Sequence, residues 1–121
     1  MSIKKILLVY DSPAQLVEMR NAVSSIDAQI VTATNGTEAI EKARTEKPNI
    51  IFLDIVMEGL DGFGACREIT RGEDTKHIPV IFVTTKKQRA DKIWAEKQGA
   101  KALITKPYEA RELLDQIQRY A

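Results

Sequence analysis

Cysteine occurs once in this chain, at Cys66, and histidine once, at His77. A lone cysteine cannot close an internal disulfide, and its helical spacing to Phe63 and Ile69 reads as a small apolar core residue. His77 has no second histidine or cysteine nearby, so it reads as a surface residue before the fourth strand and not as a metal ligand. Charge of one sign is missing too. The 18 basic and 17 acidic residues leave a formal net charge of +1, which makes no overall electrostatic case for nucleic acid or an anionic membrane. Long hydrophobic runs are absent: the one after Met1-Ser2-Ile3-Lys4-Lys5 spans only Ile6 to Val9, too short for a signal peptide's apolar region or a membrane span. A cytoplasmic protein without membrane insertion is expected. There is no internal repeat, low-complexity tract or linker. The 121 residues, 44% hydrophobic, suffice for one buried core and are too few for two ordinary domains, so 1–121 is read as a single domain.

What is there is a repeated pattern: short apolar runs, each closed by a polar residue. Asp11 follows Ile6-Leu7-Leu8-Val9, Asp54 follows Ile50-Ile51-Phe52-Leu53, Thr84 follows Val80-Ile81-Phe82-Val83, and Lys106 follows Ala102-Leu103-Ile104. Apolar runs of this length suit strands buried on both faces, as in a parallel sheet with crossover helices. The spans read as strands are roughly 5–9, 28–33, 50–53, 79–83 and 102–105, with helices at roughly 13–25, 37–46, 62–71, 87–98 and 109–119. The fold class is therefore α/β, a doubly wound five-stranded parallel sheet. In such sheets the ligand crevice lies at the carboxyl ends of the strands. Two carboxylates, a hydroxyl and an ammonium would meet there, a set suited to a divalent cation and a phosphoryl group.

Local signals agree with those spans. Ser12-Pro13 reads as an N-cap with proline at the first helical position, and Leu16, Met19, Val23 and Ile26 repeat along one helical face. Asn35 with Glu38 resembles a capping box, and Lys47-Pro48 should stop the second helix. Gly99 suits a left-handed helix end, and Gly62 a turn into the third helix.

Val9-Tyr10-Asp11-Ser12, Leu53-Asp54, Met57 with Gly59-Leu60-Asp61-Gly62, Pro79 to Thr84 and Thr105-Lys106-Pro107 together resemble the ordered motifs of bacterial response-regulator receiver domains, across the whole chain. Within that family the chain is most similar to the stand-alone CheY-like regulators, and Ile78 to Ala100 resembles the PilH type associated with type IV pili and twitching motility. The resemblance implies a flavodoxin-like strand order of 2-1-3-4-5. It implies a phosphoacceptor signalling protein, not an enzyme, with Asp54 phosphorylated by a histidine kinase. It implies Mg²⁺ held by Asp11, Asp54 and the Val56 backbone carbonyl, with Thr84 and Lys106 binding phosphoryl oxygens. These roles are chemically consistent, because Mg²⁺ prefers oxygen ligands and keeps several waters, and lysine is a compact point charge. For Lys106-Pro107 the general X-Pro preference favours trans, whereas the resemblance implies cis.

Three positions depart from the family pattern. Tyr10 stands where receivers usually have a second acid, which predicts weaker Mg²⁺ binding and slower phosphorylation; its ring is expected at the sheet edge with the hydroxyl in water. Leu103 stands where many receivers carry the aromatic residue that swings inward on activation, which predicts a muted switch. Glu58 replaces a common proline and brings an acid near the site. Lys86, Lys87, Arg89, Lys92, Lys97 and Lys101 form a basic cluster around the fourth helix. In receivers the face of helix 4, strand 5 and helix 5 is the usual partner surface, so a downstream motility or signalling protein is expected there; the basic cluster itself reads first as a solvated face and second as a dock for an acidic partner. Trp94 is expected to pack partly in the core, an exposed position making it an interface anchor. A monomer is expected, and the absence of sequence after the fifth helix implies output through a partner protein.

Other classes fit less well. A pseudo-receiver, binding proteins without phosphorylation, would account for Tyr10 and Leu103. An aspartate-nucleophile phosphatase would need a second aspartate two residues after Asp54, where Val56 stands. A flavin module would need a glycine- or hydroxyl-rich phosphate loop in place of Asp11-Ser12-Pro13-Ala14.

Overall fold

The computed structural model describes residues 3–57, 59–85 and 89–121. Strands and helices alternate: β1 (Lys5–Val9), α1 (Pro13–Ala22), β2 (Gln29–Ala33), α2 (Gly36–Glu46), β3 (Ile50–Leu53), α3 (Gly62–Arg71), β4 (Val80–Thr84), α4 (Arg89–Lys97), β5 (Ala102–Thr105) and α5 (Ala110–Arg119). All strand pairs are parallel, in the order β2-β1-β3-β4-β5. The fold class read from the sequence and the strand order that the resemblance implies are those of the structure.

The continuous apolar runs are explained by burial on both faces. Every residue of β3 and β4 is buried. Leu7, Val9, Ile51, Leu53, Val80 and Phe82 face α2, α3 and α4, while Ile6, Leu8, Ile50, Phe52, Ile81 and Val83 face α1 and α5. Successive residues of a strand point to opposite faces, so each run feeds two cores at once.

Element boundaries follow local chemistry. The Ser12 side chain accepts from the Gln15 amide and Pro13 opens α1, while Asn35 accepts from Glu38 at α2. α1 ends at Ala22, three residues before the expected span. Val23 remains buried and Ile26 packs on the core, yet the backbone has left the α pattern, with Ser24 N bonding Asn21 O and Ile26 N bonding Val23 O. The apolar spacing through Ile26 records packing, not helix. Lys47 ends α2 in the left-handed region at φ 52°, and Gly99 follows α4 at φ 95°. The Lys106–Pro107 peptide is cis, as the resemblance implies.

Candidate functional site

The four polar positions leave the sheet at one edge. Asp54 directly follows β3, Thr84 is the last residue of β4, Lys106 directly follows β5, and Asp11 lies two residues past β1. The pairs Val9↔Leu53 and Leu53↔Phe82 place Asp54 level with Tyr10 and Val83, one step before Asp11 and Thr84; Thr84↔Thr105 puts Lys106 next in line.

Asp54 is only 7% exposed, which demands compensation for its charge. Its Oδ1 accepts from the Ile55 amide at 2.8 Å and the Val56 amide at 3.4 Å, and its Oδ2 lies 3.5 Å from Lys106 Nζ. Thr84 is fully buried, and its carbonyl accepts from the Lys106 amide at 2.8 Å, tying β4 to the residue after β5. Asp11 is exposed and borders an open groove with Thr34, Asn35 and Gly59. Gly62 brings α3 against the site: its amide donates to the Ile55 carbonyl at 2.8 Å, and a Cβ on it would lie 2.1 Å from the Asp54 carbonyl oxygen.

Among the described residues no group of three or more His, Cys, Asp or Glu side chains stands ready for a metal. Asp11, Asp54 and the loop carbonyl of Val56 offer oxygen atoms only. That donor set fits a hard cation such as Mg²⁺, which retains water in its remaining positions.

Tyr10 is not at the edge with its hydroxyl in water. It has no exposure, packs on the α1 and α5 face, and donates its hydroxyl to the Val83 carbonyl. Burial, and next the charge of Asp54, push its phenol far above the ordinary value. Lys106 Nζ lies 4.3 Å from the Tyr10 ring centroid and donates to Gln15 Oε1. A cavity of about 300 Å³ opens beside this contact, bounded by residues that include Met19, Thr85, Pro107 and Tyr108. The Tyr108 hydroxyl is buried without a hydrogen-bond partner among the described residues. Nothing in the sequence reading singled out Gln15. Its position one turn into α1, on the side facing the carboxyl edge, is the signal that could have found it.

Cys66 is buried, donates weakly to Gln98 O at 3.4 Å, and has its thiol pushed up to about 12 by burial, as suits an inert core residue. His77 is exposed. Leu103 is half-buried against the α2, α3 and α4 face. Trp94 departs from its expected partial core position: it is 47% exposed, edge-on to Phe63 at 6.4 Å, and Ile93 beside it is also exposed. Arg89, Lys92, Lys97 and Lys101 are exposed, whereas Glu58, Lys86 and Lys87 lie outside the described residues. No helix among the described residues is long and apolar enough to cross a membrane.

Comparison with known proteins agrees with this geometry. A family model described as the response regulator receiver domain matches residues 6–118. The chain is 42% identical over 113 residues to Protein PilH of Pseudomonas aeruginosa, covering 93% of each. Several further relatives are longer, and the chain spans 45% or less of their length. In structure it is similar to the Vibrio cholerae chemotaxis protein CheY4, with a TM-score of 0.89, 25% identity, and 99% and 100% of the two chains covered. It is also similar to the receiver domain of sensor histidine kinase PA1611 from Pseudomonas aeruginosa, at TM-score 0.88, 26% identity and 98% coverage of each chain; that structure has a magnesium ion coordinated in its active site cleft.

Proposed function

The chain belongs to the response regulator receiver family, and on that premise we propose that it is a single-domain, stand-alone phosphoacceptor, phosphorylated at Asp54 by a histidine kinase. The observation that carries this reading is the near-buried Asp54 carboxylate, held by the Ile55 and Val56 amides and paired with Lys106 at the carboxyl edge of the sheet. An Asp54 oxygen forms a bond to phosphorus while the bond to the donor's imidazole nitrogen breaks, and the imidazole leaves with the electron pair. A carboxylate is a weak nucleophile, so rate comes from positioning and charge neutralisation. The backbone amides orient the carboxylate, and Lys106 and Thr84 bind phosphoryl oxygens. Asp11, Asp54 and the Val56 carbonyl would hold Mg²⁺, which would supply charge neutralisation for the transferred group.

The output partner is a protein docking on the surface of α4, β5 and α5, where Arg89, Lys92, Lys97 and Lys101 favour an acidic face. The similarity to PilH supports a role for this cytoplasmic, monomeric protein in type IV pilus or chemotaxis-like control. Leu103 in place of a swinging aromatic implies a modest conformational response, limited by the differential affinity of the phosphoryl group for the two states.

Intact mass tests the reading. After exposure to a cognate kinase or a small phosphodonor, one phosphoryl addition is expected that requires both Mg²⁺ and Asp54 and is lost in Asp54→Ala. No addition from either source would favour the second reading, a phosphorylation-independent binding module, which the buried Tyr10 ring in place of an acid supports.

A further inference from the structure

Among the described residues the Lys106 ammonium meets Gln15 and Tyr10 as well as Asp54. Its Nζ lies 3.5 Å from Asp54 Oδ2, donates to Gln15 Oε1 on α1, and rests 4.3 Å from the centroid of the Tyr10 ring. An ammonium on a flexible four-carbon stem is not positioned by its backbone alone. The cavity of about 300 Å³ beside it leaves room to swing, and Glu18 on the border of that cavity offers an alternative anionic partner. Holding the ammonium next to Asp54 therefore depends on specific contacts.

Tyr10 is built to be such a contact. Ile6, Leu8 and Met19 share its buried cluster, so the ring is fixed by packing. The hydroxyl is anchored on the Val83 carbonyl, one position beyond the last β3–β4 pair, Leu53↔Phe82. A ring fixed at both ends presents a constant π face to the cation, and that attraction strengthens where water is excluded. It also adds no charge. Among the described residues the edge holds the carboxylates of Asp11 and Asp54 against the Lys106 ammonium, and an acid at position 10 would add a further carboxylate.

We propose that Tyr10 and Gln15 form a cradle that holds the Lys106 ammonium beside Asp54 before a phosphoryl group arrives, which makes Tyr10 a positioning residue. The proposal rests on Asp54 as phosphoacceptor. The cradle compensates in part for the missing acid: the site gives up attraction for the metal and gains a preset lysine.

Two readouts on the full chain test it. In unphosphorylated protein the ring current of Tyr10 should move the Lys106 Hε resonances upfield of those of the other lysines. The shift should persist in Tyr10→Phe and vanish in Tyr10→Leu. With acetyl phosphate as donor at saturating Mg²⁺, the maximal rate should fall roughly five- to tenfold in Tyr10→Leu and about threefold in Gln15→Leu, with the donor KM changing less. Gln15→Leu sits outside the buried core and guards against loss of folding in Tyr10→Leu. Lys106 Hε resonances that coincide with the other lysines in the wild type would overturn the cradle, as would wild-type maximal rates in both leucine variants. If the wild type takes no phosphoryl group from acetyl phosphate or from a cognate kinase, the Asp54 reading fails, and the ring-current shift alone then decides whether the cradle exists.

Discussion

Replacing Tyr10 by aspartate would exchange a neutral ring for a carboxylate on the α1 and α5 face of the sheet. The ring is fully buried and its hydroxyl donates to the Val83 carbonyl, so the exchange removes a large apolar contact, takes away that hydrogen bond and buries a charge. We expect Tyr10→Asp to lose about 3–5 kcal/mol of stability in Mg²⁺-free urea unfolding, the range for truncating a buried aromatic. Mg²⁺ should recover part of that loss, and the variant should bind Mg²⁺ more tightly than the wild type in a calorimetric titration. Equal affinities would sink the idea that the absent acid weakens metal binding. The inward direction of Tyr10 was within reach of the sequence, since Ile6, Leu8 and Tyr10 alternate on one face. What no local pattern could give is the Val83 carbonyl that takes its hydroxyl, 73 residues away. For the same reason Trp94 was misplaced: an apolar ring beside Ile93 reads as partly core, but its place beside Phe63 depends on how α3 and α4 lie against each other.

Among elements, the start of α3 is under the tightest constraint. A Cβ at Gly62 would meet the Asp54 carbonyl oxygen at 2.1 Å and Ile55 Cα at 2.7 Å, both backbone atoms of the segment that carries the phosphoacceptor candidate. Gly62→Ala must therefore push the end of β3 away from α3. A destabilisation of about 1–3 kcal/mol is expected, as for an overpacked core, with a slower phosphorylation rate from the displaced Asp54. Urea unfolding and intact-mass time courses would check both; an alanine variant with wild-type stability would contradict the close approach. Lys47 makes the opposite case. It closes α2 at φ 52° with an L side chain, so Lys47→Gly should raise stability by about 0.5–1 kcal/mol in the same assay, the left-handed strain outweighing the added chain entropy. The strands were legible because both faces are buried and the runs are unbroken. Thr84 joined β4 because it pairs with Thr105 even though it is polar. Gln98 was not legible: it is buried, and its carbonyl accepts from Thr70 Oγ1 at 2.7 Å while its Oε1 accepts from Arg67 Nε at 2.8 Å, which fastens α4 to α3 by contacts far apart in sequence.

Across the whole molecule, the two-sided core that brings four strand ends to one edge also buries weak acids. Burial pushes the Cys66 thiol from an ordinary 9.0 up to about 12, burial and then the Glu18 charge push Tyr108 from 10.0 up to about 12, and Tyr10 is raised further by burial and Asp54. In the unfolded chain these groups release their protons near the ordinary values. Above about pH 9 the folded state therefore binds more protons than the unfolded state, and stability falls as pH rises. The stabilisation they contribute is complete below the ordinary values and is lost as pH climbs toward the raised ones. Each fully engaged group adds a slope of about 1.4 kcal/mol per pH unit, and Tyr108, which is partly solvated, adds less. Urea unfolding in Mg²⁺-free buffer between about pH 8 and 11 should show that decline. Lysine deprotonation overlaps the upper part of this window, so the informative quantity is the difference from Cys66→Ala and Tyr10→Phe, each of which removes one titrating group. Both variants should be less stable than the wild type at pH 8, with the gap narrowing as the wild type loses what they no longer have. Profiles that stay parallel across the window would mean that neither group retains its proton in the fold, and the buried-acid account of the alkaline limit would fail.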